Sequence, residues 1–198
     1  MRHIIHPKKI KLYNALNIGY LRNERKQAKR LKRFGYILDK ELTNNERLVA
    51  YSPFTKKVIF IENGSSTNPF SPQFYEDWRN NVQNISTGTF DYTPRFQAAK
   101  SAYLKAKKKY EAPITLVGHS QSAVTVNDLT EKGDKGYTLN GALIKQKDNP
   151  QVTNYRIKND IVSSFANPND IRTLHSNQNK NTLASHSIDN IRNDPIFL

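Results

Sequence analysis

The sequence around residue 120 reads Ile114-Thr115-Leu116-Val117-Gly118-His119-Ser120-Gln121-Ser122. A serine two residues past a glycine, entered from an apolar run, has the pattern of a nucleophile elbow. There the serine sits on a sharp strand-to-helix turn with its Oγ above the sheet. The pattern asks for a second glycine where this chain has Ser122, the smallest change that still adds a side chain with a hydroxyl. A serine needs a base to take its proton, and the base needs an acid to orient it. In chains with such an elbow the order is Ser, then Asp or Glu, then His. Two histidines follow Ser120, His175 and His186. The acid candidates are Asp160, in Lys158-Asn159-Asp160-Ile161-Val162, and its rivals Asp148, Asp170 and Asp189. Asp160 directly follows a strand-like run, at the carboxyl end where sites in α/β sheets assemble. Asp128 falls in the segment that leaves the elbow as a helix.

The elements needed to position these residues can be read from periodicity. Ile114–Val117 is almost wholly apolar, as suits a strand buried on both faces of a mostly parallel sheet. Arg47–Tyr51 and Lys57–Ile61 read as two strands of a hairpin. Phe96, Ala99, Tyr103, Ala106 and Tyr110 form one stripe of a helix with lysines on its other side. Ala123, Val126 and Leu129 continue the elbow into a second helix. Tyr137–Ile144 and Val152–Ile157 are further strand candidates, and the tail beyond residue 165, rich in Asn and Ser, shows little periodicity. Strand, helix, strand, helix, strand argues for an α/β fold with helices on the faces of its sheet.

Composition narrows the chemistry. The 198 residues suit one domain and contain no cysteine, which excludes thiol catalysis, disulfides and cysteine metal sites. The net charge is +14, and residues 1–35 hold eleven Lys/Arg against the single acid Glu24, so +10 of it lies there. The expected organisation is a basic N-terminal helical arm, residues 1–35 with a helix over 14–33, and a catalytic body over 36–198. The arm's expected partner is a phosphate-bearing one, an anionic membrane surface or nucleic acid. No run approaches the roughly 18 apolar residues of a membrane span, and the first 20 residues lack the apolar core of a secretory signal. Synthesis in a cytoplasm is the expectation.

The stretches ITLVGHSQSA, KNDIVSS and SHSIDNI, in this order, resemble the class 3 lipase-like branch of the α/β-hydrolases. Upstream, Val58–Ile61 with Gly64-Ser65 and then Asp77-Trp78 is similar to that family's early strand, oxyanion loop and Asp-Trp pair. The resemblance spans residues 36–192. It implies a minimal α/β-hydrolase-like sheet and a serine ester hydrolase without cofactor or metal. Ser120 would be nucleophile, Asp160 orienting acid and His186 base, ahead of His175. It also implies an oxyanion hole from the backbone N–H of Gln121 and a donor at Ser65, acting on an ester lipid substrate. The chain departs from the pattern at Ser122 and in lacking the arginine before Gly64. The alternative expectation is a non-enzymatic structural protein, virion- or nucleic-acid-associated, that keeps a hydrolase-like body and works through residues 1–35.

Overall fold

A computed structural model of the chain describes residues 8–64, 87, 93–143, 148–166, 171–174 and 184–198. Seven strands form one sheet in chain order: β1 (Ile37–Leu38), β2 (Arg47–Ser52), β3 (Lys57–Glu62), β4 (Ile114–His119), β5 (Lys135–Leu139), β6 (Val152–Ile157) and β7 (Ile171–Leu174). The first three pair antiparallel, and β3 to β7 are all parallel. The hairpin and the buried strand before Ser120 lie where periodicity put them. The run expected from Tyr137 is strand only to Leu139.

Parallel neighbours in chain order have a consequence for the layers. Parallel crossovers are right-handed as a rule, so crossovers that step the same way across a sheet lay their helices on one face. The crossover helices here are α3 (Pro94–Tyr110) and α4 (Ser122–Leu129). α3 begins with Pro94 in its first turn and Thr93 as cap, Oγ1 accepting from Phe96 N at 3.2 Å. Its buried stripe of Phe96, Ala99, Ala102, Tyr103 and Ala106 packs with Val58, Phe60, Ile114 and Leu116.

The alternate residues of the same strands, Ile59, Ile61 and Val117, point the other way into a second core cluster. The N-terminal segment fills that face. It forms two helices, α1 (Leu12–Gly19) and α2 (Glu24–Lys32), in place of one helix over 14–33, because Asn23 opens a new helix by accepting from Lys26 N at 3.0 Å. Leu12, Ala15, Leu16, Ile18 and Leu31 are buried there. Arg22, Arg25, Lys26, Lys29, Arg30, Lys32 and Arg33 face solvent. Residue 35 therefore marks a change of charge, while the packing runs on from residue 10. The C-terminal tail closes the same face: Leu12 N donates to Ile196 O at 2.8 Å, and Leu198 N donates to Ile10 O at 3.1 Å. Among the described residues no helix is long and apolar enough to cross a membrane.

Candidate active site

β4 runs straight into α4 through Ser120, whose φ of 61° lies in the left-handed region that non-glycine residues seldom occupy. That strain lifts the serine out of the strand. The turn is held by Ser120 N donating to Leu139 O at 3.0 Å and Ala123 N donating to Ser120 O at 3.1 Å. Gly118 is needed for close approach: a Cβ there would lie 2.8 Å from both Ser122 O and Val126 Cγ2. Ser122, the departure from the motif, is absorbed by hydrogen bonding. Its Oγ accepts from His119 N at 2.8 Å and directs its one proton to Glu62 O at 2.7 Å, with His119 O also in reach at 2.9 Å. The extra hydroxyl thereby ties the ends of β3 and β4 to the start of α4.

Asp160 and His186 meet. Asp160 follows β6, is 2 % exposed, and places Oδ2 at 2.6 Å from His186 Nδ1. Its other oxygen accepts from Ser163 N at 2.7 Å and Ser163 Oγ at 2.6 Å. Burial works against the carboxylate's charge, but the contact with His186 and the two Ser163 bonds outweigh it, so its pKa lies below the ordinary range. His186 ends a 3₁₀ turn, Ala184–His186. That turn is fastened from below by Asn140, whose Nδ2 donates to Ser185 O at 3.1 Å while its Oδ1 accepts from Ile157 N at 2.8 Å. The carbonyl of His186 accepts from His119 Nε2 at 2.9 Å, and the two imidazoles lie 4.8 Å apart, centre to centre. His186 is thus placed against the residue next to Ser120. Among the described residues no hydrogen bond joins Ser120 Oγ to the His186 ring. In free hydrolases such bonds are commonly long and tighten with substrate.

Gln121 is buried at the start of α4, where its backbone N–H belongs to the elbow turn. Ser65 lies outside the described residues, as do Asp77, Trp78, Asp170 and His175. Its predecessor Gly64 is described and abuts the elbow: a Cβ on Gly64 would lie 2.7 Å from His119 O and 3.2 Å from Ser120 Cβ. Of the rival acids, Asp189 is engaged at the surface with Tyr13 and Arg192, and Asp148 is exposed. Two buried ionisable groups flank the elbow. Glu62 pairs with Arg47 at 2.8 Å and stands 3.8 Å from Arg95, yet burial dominates and pushes its pKa up to about 7. His119 is driven down to about 3 by burial, with the proximity of His186 adding to the effect. Among the described residues there is no cluster of His, Asp and Glu able to hold a metal ion.

In the sequence His119 stands only as a residue of the elbow stretch, and Asn140, Ser163 and Tyr20 are not among the candidates. Ser163 had a visible signal, since a Ser three residues after an Asp invites the Asp side chain to bond its N–H. Asn140-Gly141 after a strand had one as a turn pair. Tyr20 had none.

A mostly parallel sheet with a strained serine at the carboxyl end of a central strand, and a paired Asp and His beside it, defines a minimal α/β-hydrolase-like fold. No protein-family model and no curated protein matches the sequence. Among solved structures, the Lip2 lipase from Yarrowia lipolytica is similar with a TM-score of 0.54 at 11% identity, over 82% of this chain and 76% of that one. A triacylglycerol lipase from Penicillium expansum gives 0.40 at 15% identity, over 84% and 75% of the two chains. The Rhizomucor miehei lipase in its propeptide complex gives 0.45 at 14%, over 78% of this chain and 63% of that one. At such identities the likeness is one of fold.

Proposed function

We propose that the chain is a serine ester hydrolase of lipase-like type, with Ser120 as nucleophile, His186 as base and Asp160 as orienting acid. The observation that carries this reading is the 2.6 Å bond between Asp160 and His186 Nδ1 beside a serine at φ 61°. A carboxylate can only accept, so Nδ1 carries the proton and Nε2 keeps its lone pair as a base. Nε2 takes the proton of Ser120 Oγ as Oγ bonds to the ester carbonyl carbon, and the carbonyl π pair moves to oxygen. The N–H of Gln121 and a donor at Ser65 receive that oxyanion. Its collapse breaks the bond to the alcohol oxygen, which leaves with the proton from His186. Water, deprotonated by the same Nε2, then releases the acid and restores Ser120. Ester lipids are the proposed substrates, in line with the lipase names of the fold neighbours.

Labelling with a fluorophosphonate probe tests the reading. Wild type is expected to label at one site and Ser120→Ala not at all, with ester hydrolysis falling on the order of 10⁶-fold. Labelling that persists in Ser120→Ala, or none in the folded wild type, overturns it.

A second reading, an anion-binding structural protein, draws on the exposed basic face of α2. Replacing Arg25, Lys26 and Lys29 by Gln and measuring salt-dependent binding to DNA and to anionic vesicles tests it. A binding constant and salt slope equal to wild type would remove that face from consideration.

A further inference from the structure

We propose that Tyr20, in the link between α1 and α2, is a positioning residue for the hydrolytic site, acting through His119 on the backbone of His186 and on the loop at Gly64. The proposal rests on the functional reading above. Tyr20 Oη lies 3.1 Å from Gly64 N and 2.7 Å from His119 Nδ1, and His119 Nε2 lies 2.9 Å from His186 O. Every direction in this chain is forced. A carbonyl oxygen only accepts, so Nε2 of His119 carries a proton. The ring is enclosed and neutral, so it has one proton, and Nδ1 is an acceptor. Tyr20 must then donate to Nδ1, and its oxygen is left to accept from Gly64 N–H. His119 held below its ordinary pKa by burial, and the Tyr20 hydroxyl pushed up to about 12 by burial, agree with two neutral groups sharing one fixed proton arrangement.

The arrangement joins three parts of the site, two of them at the ends of the paired strands β3 and β4 and the third on the turn that bears His186. Gly64 precedes Ser65, the proposed oxyanion donor. His119 precedes Ser120. His186 O belongs to the base itself, whose ring is already held by Asp160. Without the Tyr20 hydroxyl, Gly64 N–H loses its acceptor and Nδ1 loses its donor. The imidazole is then free to carry its proton on Nδ1 and to turn a bare Nε2 toward His186 O. Two lone pairs would face one another across 2.9 Å, and the turn bearing His186 would shift. Misplacement on this scale slows catalysis while leaving substrate contacts in place.

The test compares wild type, Tyr20→Phe, His119→Gln and His119→Phe, each checked for a cooperative thermal transition. Hydrolysis of a short-chain p-nitrophenyl ester supplies kcat and KM, and ¹⁵N spectra of histidine-labelled protein report the tautomer of His119, identified as the signal absent from His119→Gln. Tyr20→Phe is expected to lower kcat on the order of 10- to 100-fold with KM within about twofold, and to convert His119 from pure Nε2–H to a mixture. A glutamine can accept from Tyr20 and donate to His186 O, so His119→Gln should keep substantially more kcat than His119→Phe. A wild-type kcat in Tyr20→Phe, or a slow Tyr20→Phe whose His119 is still pure Nε2–H, overturns the proposal. If wild type neither labels nor hydrolyses ester, the hydrolase reading falls separately. The tautomer then decides the relay alone, a mixture in Tyr20→Phe supporting the proton arrangement and an unchanged spectrum refuting it.

Discussion

The two faces of the sheet are covered by unlike means. One carries α3 and α4, crossover helices that the parallel topology obliges the chain to lay there. The other receives no crossover helix among the described residues and is closed by the two ends of the chain, α1 and α2 from the start and residues 188–198 from the end. Both faces are equally dry: Phe60 and Leu116 on the first and Ile61 and Val117 on the second are 0 % exposed. A segment can therefore hold most of a protein's charge and still be core, provided the charge stays on its outer side.

The largest expected effect breaks this comparison if it fails. Deleting residues 1–35 removes Leu12, Leu16, Ile18 and Leu31, all no more than 2 % exposed. Burial of four such side chains is worth about 6–12 kcal/mol, the size of a small domain's whole stability. The truncated chain is expected to show no cooperative thermal transition, whereas Lys29→Gln with Lys32→Gln, which changes charge alone, should leave Tm within about 2 °C. A truncated chain melting at the wild-type temperature would make the segment a true arm.

The same contrast explains what could be read in advance. The α3 face was legible because its helix carries a long clean stripe, Phe96 to Tyr110, and the elbow because an apolar strand leads into Gly118-His119-Ser120. The paired Asp160 and His186 were legible from chain order and from the family resemblance. The other face was not. In α1 and α2 the apolar residues are few and the basic ones dominate, so within a single helix over 14–33 Leu16, Tyr20 and Leu31 form no stripe, and only the break at Asn23 separates two short helices that each bury a side. β7 escaped notice because Ile171–Leu174 is four residues with polar Arg172 and Thr173 between, and β1 has only two residues. Tyr20 could not be found from sequence because its partners are 44 and 99 residues away. At Ser122, where the sequence departs from the elbow pattern, three contacts that the motif alone does not reveal brace the turn.

A pair of truncations sharpens the comparison at the level of single side chains. Leu16 on the N-terminal face and Leu116 on the α3 face are both 0 % exposed. Leu16→Ala and Leu116→Ala should each cost about 2–5 kcal/mol, read from urea denaturation midpoints at unchanged slope. A cost below about 1 kcal/mol for Leu16 alone would mean that the chain ends lie loosely on their face.

The smallest effect concerns one buried ionisable group on each side of the elbow, and here the faces should differ in sign. Glu62 looks toward Arg95 of α3, and burial raises its pKa to about 7 from 4.5. Its folded form holds a proton that the unfolded chain gives up, so its contribution is fully present below pH 4.5 and is lost as pH rises through 7. His119 looks toward Tyr20, and burial lowers its pKa to about 3 from 6.5. The unfolded chain takes up a proton that the folded form refuses, so this contribution is present above pH 6.5 and is lost as pH falls toward 3. Between pH 4.5 and 6.5 the two slopes oppose, and wild-type stability should be flatter than either alone. The Tm of Glu62→Gln, relative to wild type, should climb as pH is raised from 4.5 to 7. That of His119→Gln should climb as pH is lowered from 6.5 to 4. Parallel offsets without slope in both variants would mean that neither face holds its group away from water, and the closure of the second face by the chain ends would be no tighter there than at the surface.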